Sequence, residues 1–195
     1  MTTRFWMVRH GPTGANGAIG WTDLPADLSD TRRVSALKAA LPSGAVVVSS
    51  DLKRTIATAD AVCDQTNRLP HDPALREIHF GTWEGQDFED IHAADPKLTQ
   101  AYWDRPGDVA PPDGESWNDL CRRVSARISE LATNHAAQDV ICVVHFGVIL
   151  AALQIARDLS ASSVMGFKID PLSLTRLDYL PQTRSWRVLG VNQNY

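Results

Sequence analysis

The sequence has few cysteines and no long run of apolar residues. Cys63, Cys121 and Cys142 lie far apart and form no CxxC pair, which excludes a disulfide scaffold and the usual zinc-binding spacings. The longest apolar stretch, residues 148–156, is interrupted by Gln154 and is too short to span a bilayer. The N-terminal segment contains no apolar region of the kind found in secretory signals. We therefore expect a cytoplasmic protein whose thiols are buried and reduced.

Positive charge is also scarce. Nineteen Lys and Arg residues against 23 Asp and Glu give a formal net charge of −4, which argues against binding to nucleic acid or to an anionic membrane. A small anionic ligand remains compatible with this balance, because a few cations can cluster locally on an acidic protein. With 195 residues, of which 44% are hydrophobic, the chain can bury a core without disulfides or metal. We expect a single domain over residues 1–195.

Short apolar segments alternate with helical patterns along the chain. Continuous apolar runs at residues 5–8, 45–49 and 140–144 predict buried strands. Helical spacing predicts helices at 31–41, after residue 51, at 116–133 and at 148–156, and the third of these would expose Arg123 and Arg127. Residues 173–179 and 186–191 alternate enough to predict a late hairpin.

This order of elements predicts an α/β fold. We expect a three-layer sandwich with a mainly parallel central sheet and helices on both faces. Residues 79–116 are rich in Trp, Pro and Gly and lack a periodic core of their own. They predict a small inserted lobe over the site rather than an independent domain.

Three of the predicted strands are followed by histidine or arginine residues. The first runs into Arg9-His10-Gly11, the second is followed by Arg54, and the third runs into His145-Phe146-Gly147. Ligands of open α/β sheets bind at the carboxyl ends of the strands, so these side chains are expected to converge on one pocket. Two arginines and two histidines would form an anion site, because the planar guanidinium matches pairs of phosphate oxygens. The helix that follows His145 would add N–H donors.

Each of these features has a simpler explanation when taken alone. A histidine at a strand end is more often structural than catalytic, an arginine early in a helix is usually a surface charge, and Ser49-Ser50-Asp51 is first of all a helix cap. The joint placement of the three motifs favours a functional site. Two histidines with nearby carboxylates could also bind a metal, but the two arginines would repel a dication. We therefore expect metal-free phosphate chemistry with no cofactor.

Five segments match the signature of a known family, in the family's order, across residues 4–190. They are Val8-Arg9-His10-Gly11-Pro12-Thr13 followed by Asn16, then residues 49–55, 75–85, 114–116 and 144–147. Together they resemble the histidine phosphatase superfamily, in the branch that includes the cofactor-dependent phosphoglycerate mutases. One departure is Pro12, where the family commonly has glutamate. That position is peripheral to the transferred phosphate, so the departure does not put activity in doubt.

The resemblance implies a role for each matching residue. His10 would be the nucleophile that becomes phosphorylated, and Glu77 would be the proton donor. Thr13 would support the turn or the ligand, and Glu115 would lie at the pocket mouth. The residues expected to bind the substrate or its phosphate are Arg9, Thr13, Asn16, Arg54, Glu115, His145, Phe146 and Gly147. Arg9, Arg54 and His145 would also take part in catalysis, and no metal ligand is expected.

The modest chain length favours a phosphatase over a mutase, because mutases of this family have longer chains. We predict hydrolysis of a small phosphorylated metabolite. The sequence is compatible with a monomer or a homodimer. The lobe, the Gly114-Glu115-Ser116 element and the C-terminal segment also resemble the alpha-ribazole phosphatase branch, which implies alpha-ribazole 5'-phosphate as one substrate. Two alternatives remain: phosphoryl transfer of the mutase type, and a non-catalytic protein that binds phospho-ligands.

Overall fold

A five-stranded mixed sheet forms the centre of the computed structural model, which describes residues 1–195. The strands are β1 (Thr3–Arg9), β2 (Val46–Ser49), β3 (Asp139–Val144), β4 (Leu174–Leu180) and β5 (Ser185–Gln193), and their order is β2-β3-β1-β4-β5. β2, β3 and β1 are parallel to one another. β4 pairs antiparallel with both β1 and β5.

The sheet is therefore less parallel than the sequence predicted, since two of its four strand pairings are antiparallel. The reason lies in the last connections. Only a short turn separates β4 from β5, and a turn of that length can join only antiparallel strands. The predicted hairpin is thus present and accounts for the antiparallel pairing of β4 with β5, while β4 also runs antiparallel to β1.

Seven helices surround the sheet. They are α1 (Thr31–Ala40), α2 (Lys53–Val62), α3 (Phe88–Ala94), α4 (Pro96–Asp104), α5 (Trp117–Asn134), α6 (Phe146–Arg157) and α7 (Ala161–Val164), with two 3₁₀ turns at Pro73–Leu75 and Gly81–Trp83. None of the helices is both long enough and apolar enough to cross a membrane.

Two hydrophobic clusters lie on opposite faces of the sheet. Side chains alternate along the strands, so that Met7 points into the larger cluster and Val8 into the smaller one. The larger cluster also contains the apolar faces of α5 and α6, and the smaller one contains residues of α1 and α2. Helices therefore cover both faces of the sheet, as the sequence predicted.

The segment over residues 79–116 folds into a 3₁₀ turn and the short helices α3 and α4. Its buried side chains Trp83, Ile91 and Tyr102 belong to the larger cluster, together with those of α5 and α6. The segment therefore has no separate core and lies on the α5 side of the molecule.

The polar face of α5 is less exposed than the sequence predicted. Ser116 and Asp119 form a reciprocal capping box at its N-terminus, which explains where the helix begins. Arg123 and Arg127 were expected to face solvent, but both are largely buried in ion pairs, with Glu115 and Asp72 respectively. The hydrophobic periodicity identified the helix, but it could not show that Glu115 and Asp72, which lie in different loops, form ion pairs with the polar face of the helix.

Candidate active site

The parallel strands bring three chain segments to one edge of the sheet. The backbone N–H groups of His10 and Ser50 donate to the carbonyls of Val144 and Val143, so the chain after β1 and the chain after β2 flank the end of β3. His145 follows directly on β3. The centroids of the two imidazole rings are 5.1 Å apart. The predicted convergence of strand ends is therefore present.

The imidazole of His10 is fixed in one orientation. Its Nδ1 lies 2.6 Å from the carbonyl oxygen of Gly11, and because a carbonyl can only accept, Nδ1 carries the proton. Burial, together with the positive charge of Arg54, lowers the pKa of His10 to about 3. The ring is therefore neutral near pH 7, and its Nε2 has a free lone pair that can attack an electrophile.

His145 is completely buried and is held from both sides. Its Nδ1 accepts a hydrogen bond from Nε of Arg54 at 3.3 Å, and its Nε2 lies 2.8 Å from Oγ of Ser50. Since Nδ1 accepts, Nε2 carries the proton and donates to Ser50. Burial, with a further contribution from nearby His10, lowers the pKa of His145 well below its usual value.

Residues 49–51 do not cap α2, and Ser50 takes part in the site, as the joint placement of the motifs predicts. The N-cap of α2 is Leu52, which has no side chain able to accept a capping hydrogen bond. Ser50 instead contacts His145, and Asp51 forms a two-pronged ion pair with Arg76. The simpler explanation of these residues as a helix cap is therefore wrong.

Arg54 lies in the first turn of α2 and is almost inaccessible. Its two terminal nitrogens donate to the carbonyls of Gly20 and Thr22 at 2.5 and 2.9 Å. The loop that carries these carbonyls is fixed in turn by Glu84, whose carboxylate accepts from the backbone N–H groups of residues 20, 21 and 22. Arg54 is thus a positive charge whose position is set before any ligand binds.

Arg9 has one buried nitrogen that lacks a partner. Its Nη1 donates to the carbonyl of Ile169 at 2.5 Å, while its buried Nε makes no hydrogen bond. Its guanidinium carbon lies 5.4 Å from the centroid of the Phe146 ring, within range of a cation–π interaction. A buried donor without an acceptor is costly, and an anionic oxygen bound beside Arg9 would satisfy it.

Glu77 is buried beside the N-terminus of α6. Its two carboxylate oxygens lie 3.0 and 3.1 Å from the backbone nitrogen of Gly147, and one of them also accepts from the backbone of Ile78. Burial is the largest influence and raises the pKa of Glu77. The carboxyl group therefore keeps its proton to higher pH than an exposed glutamate, as a proton donor must.

Gly147 lines the cavity and also leaves the space that the carboxylate of Glu77 occupies. A Cβ atom at this position would lie 2.4 Å from Oε1 of Glu77, so no larger residue fits without moving the carboxylate. The sequence predicted that Gly147 contacts the ligand. In the structure, its backbone N–H group is occupied by Glu77.

A cavity of about 190 Å³ opens beside these groups. Arg9 and Glu77 are its two charged lining residues, and Phe146 and Gly147 line it as well. The remaining lining is mostly apolar and comes from Ile19, Ile78, Phe80, Tyr102, Trp103, Pro106, Val109, Trp117 and Met165, with Gly17 at one side. Most of the apolar lining comes from residues 78–117.

Five predicted binding residues do not line this cavity: Thr13, Asn16, Arg54, Glu115 and His145. The predicted nucleophile His10 is not among the lining residues either. Thr13 is half-buried in the loop after β1, and Asn16 is exposed beside Asp87, in a neighbouring surface depression. Glu115 is occupied by Arg123, which donates to both of its oxygens, and by the backbone N–H of His79. The geometry therefore gives Glu115 a part in holding the loop and not a place at the cavity.

Arg123 is the main residue that the sequence did not reveal. Besides its ion pair with Glu115, it donates to the backbone carbonyls of Ala74, Arg76 and Glu77. The indole nitrogen of Trp21 also donates to the carbonyl of Glu77, at 2.8 Å. These contacts fix the chain that carries the Glu77 carboxyl. No sequence signal identified Arg123, whereas Glu84 lies inside the segment 75–85 that resembles the family pattern.

The assembled groups suit the transfer of an anionic phosphoryl group. A neutral imidazole presents a lone pair, two guanidiniums supply fixed positive charge, and the raised pKa of the buried Glu77 favours the protonated form of its carboxyl group. Phosphoryl transfer depends mainly on such positioning and charge stabilisation. No group of three or more His, Cys, Asp or Glu side chains is arranged to hold a metal ion.

Comparison with known proteins identifies the family of the chain. The family model described as "Histidine phosphatase superfamily (branch 1)" matches residues 5–194. A glucosyl-3-phosphoglycerate phosphatase of Mycolicibacterium vanbaalenii is 36% identical over 161 residues, covering 76% of this chain and 71% of the relative. The adenosylcobalamin/alpha-ribazole phosphatase of Salmonella typhimurium is 29% identical over 195 residues, covering 96% of both chains.

Among solved structures, Bacillus stearothermophilus YhfR has a TM-score of 0.87 and 24% sequence identity, and the match covers 99% of this chain and 98% of that one. This likeness shows that the two chains share a fold.

Proposed function

The chain belongs to branch 1 of the histidine phosphatase superfamily and is a phosphatase. We propose that it hydrolyses small phosphomonoesters through a phosphohistidine on His10, without a metal ion. The whole chain would act as one domain. Its partner would be a phosphorylated metabolite, with no nucleic acid or membrane involved, and its place would be the cytoplasm.

In the first step, Nε2 of His10 attacks the phosphorus of the ester. The N–P bond forms as the P–O bond to the alcohol breaks, and the electron pair of that bond goes to the departing oxygen. The carboxylic acid of Glu77 gives its proton to this oxygen, so that a neutral alcohol leaves. The raised pKa of Glu77 supports this role, because the acid must be protonated near neutral pH.

In the second step, water attacks the phosphorus of phosphohistidine. Its proton passes to the carboxylate of Glu77, the N–P bond breaks, and the electron pair returns to Nε2. Inorganic phosphate leaves, and His10 and Glu77 regain their starting states. One carboxyl group thus serves as the acid in the first step and as the base in the second.

Arg9 and Arg54 would hold the phosphoryl oxygens. His145, expected from the sequence to bind the phosphate as well, uses its single N–H on Ser50 and would instead position Arg54 through Nδ1. The unpartnered Nε of Arg9 is available for such a contact, and the backbone carbonyls bonded to Arg54 keep its charge in place. Charge that is fixed before the reaction stabilises a loose transition state without reorganisation. This arrangement makes a metal ion unnecessary.

The observation that carries the proposal is the hydrogen bond from Nδ1 of His10 to the carbonyl of Gly11. It selects the one tautomer in which the buried ring can act as a nucleophile. Because the named relatives act on different esters, we propose only the reaction for this chain, with alpha-ribazole 5'-phosphate as one candidate substrate.

The test compares three proteins on 4-nitrophenyl phosphate in the presence of EDTA. The wild-type protein is expected to turn over, and His10→Ala is expected to lose activity by at least about a thousandfold. His135→Ala is the matched control, since His135 lies at the C-terminal end of α5, before β3 begins. Loss of wild-type activity in EDTA would contradict the metal-free step. An active His10→Ala protein would exclude His10 as the nucleophile, and isomer formation from a phosphoglycerate would indicate a mutase.

A further inference from the structure

We propose that the cavity beside Glu77 binds an uncharged, flat, apolar alcohol portion of the ester, and that the indole of Trp103 determines this specificity by stacking on it. The inference rests on the proposed function, because it assigns the part of the substrate that leaves when the phosphoryl group is transferred. It commits to a chemical class of substrate rather than to one metabolite.

The composition of the cavity wall is the first argument. Nine of its 14 lining residues are hydrophobic, Arg9 is the only cation among them and Glu77 the only anion. If Arg9 binds the phosphoryl group, no second cation in the wall is left for another negative charge on the substrate. An apolar cavity of about 150 Å³ holds a benzene molecule, so a cavity of about 190 Å³ accommodates one aromatic ring with additional carbon atoms.

The second argument is the way Trp103 is held. It lies in the last turn of α4 and lines the cavity, yet it remains 50% exposed. Tyr102 and Phe88 pack nearly perpendicular to its ring, with centroids 4.9 and 5.5 Å away. Such edge-to-face packing immobilises the indole. Part of a rigid aromatic surface is thus left uncovered at the cavity, where a flat apolar group can stack on it.

The charge at the rim is the third argument. Gly17 lines the cavity and also a neighbouring depression formed by Asp87, Glu89 and Asp90. A carboxylate on the alcohol portion would lie near this acidic depression and, with Arg9 bound to the phosphoryl group, would find no second cation in the cavity wall. Charged esters such as phosphoglycerates are therefore disfavoured, and neutral apolar esters are favoured.

The experiment compares three esters of primary alcohols, so that leaving-group chemistry is matched: 2-naphthylmethyl phosphate, ethyl phosphate and 3-phosphoglycerate. Wild-type kcat/KM is expected to be highest for the naphthylmethyl ester, by about tenfold or more over each of the others. Trp103→Ala should lower that value by about tenfold and leave ethyl phosphate within about twofold. Trp103→Phe should retain most of the preference. Leu189→Ala, an exposed apolar position on β5, serves as the surface control.

A binding measurement separates this inference from the proposed function. The dissociation constant of 2-naphthylmethylphosphonate, which cannot be hydrolysed, is measured by calorimetry for the wild-type and Trp103→Ala proteins against methylphosphonate. Tighter binding of the naphthyl compound that depends on Trp103 supports the inference even if no ester is turned over. Equal affinities, equal loss for all three esters in Trp103→Ala, or a preference for 3-phosphoglycerate would overturn it while leaving a phosphatase intact.

Discussion

Replacement of Gly147 by alanine is expected to separate proton donation from the rest of the reaction. The added Cβ would lie 2.4 Å from Oε1 and 3.4 Å from Cδ of Glu77, and 3.1 Å from Cδ2 of Leu120. Because ordinary contacts begin near 3.5 Å, the carboxylate must move by about 1 Å. It cannot do so and keep its 3.0 and 3.1 Å contacts with the backbone nitrogen of residue 147.

A misplacement of about 1 Å costs on the order of a hundredfold in rate. We expect this loss in kcat/KM for ethyl phosphate, whose alkoxide needs a proton in order to leave. The 4-nitrophenolate anion leaves without a proton, so kcat/KM for 4-nitrophenyl phosphate should stay within about threefold. Stability should change little, because alanine in a helix gains up to about 1 kcal/mol over glycine and offsets part of the strain.

The assay is steady-state kinetics on both esters, with thermal unfolding measured in parallel. Gly107→Ala is the matched control, since a Cβ there would have no neighbouring atom closer than 3.8 Å. Equal losses on the two esters would refute the reasoning, because Glu77 would then act on something other than the leaving group. Unchanged activity on ethyl phosphate would refute it as well.

Three further predictions concern the groups that support the site. Ser50→Ala removes the acceptor of the His145 Nε2–H and should lower kcat/KM by about tenfold in steady-state kinetics; an unchanged value would remove Ser50 from the account. Arg123→Met leaves the half-buried Glu115 unpaired and should lower the free energy of unfolding by about 2–3 kcal/mol in urea titrations, whereas Arg122→Met, at an exposed pair, should change it by less than about 1 kcal/mol. The pKa of His10 is about 3 when folded and 6.5 when unfolded, so the unfolded chain binds more protons between these values. Stability should therefore fall as the pH drops from about 6.5 toward 3, and His10→Asn should flatten that decline by up to about 1.4 kcal/mol per pH unit in unfolding titrations; an equally steep decline would contradict the burial of a neutral ring.

The strand ends of this protein could be predicted from the sequence because their signals are local and strong. Apolar runs of four or five residues, each followed by charged or small residues, located β1, β2 and β3. Because the carboxyl ends of parallel strands lie at the same edge of a sheet, His10 and His145 were expected at that edge. The predicted helix starts at residues 31 and 116 likewise lie within one residue of the starts of α1 and α5.

Other features depend on contacts between distant segments, which one sequence does not reveal. The polar face of α5 looked like a solvated surface, but Glu115 and the carbonyls of residues 74–77 cover Arg123. Glu115 matched a family motif, and its two oxygens are nevertheless used within the fold. The direction of β4 was set by a connection whose path is not encoded in hydrophobic periodicity.

The central claim is that His10 carries the phosphoryl group, and it is tested most directly by trapping that group. Glu77→Gln should still be phosphorylated by 4-nitrophenyl phosphate but should lose the base that activates water. Alkaline quenching followed by peptide mass spectrometry should then find a phosphoryl group on His10, stable in base and lost in acid, with a burst of nearly one 4-nitrophenolate per active site. A phosphoryl group on another residue, or turnover with neither burst nor trapped group, would contradict the account.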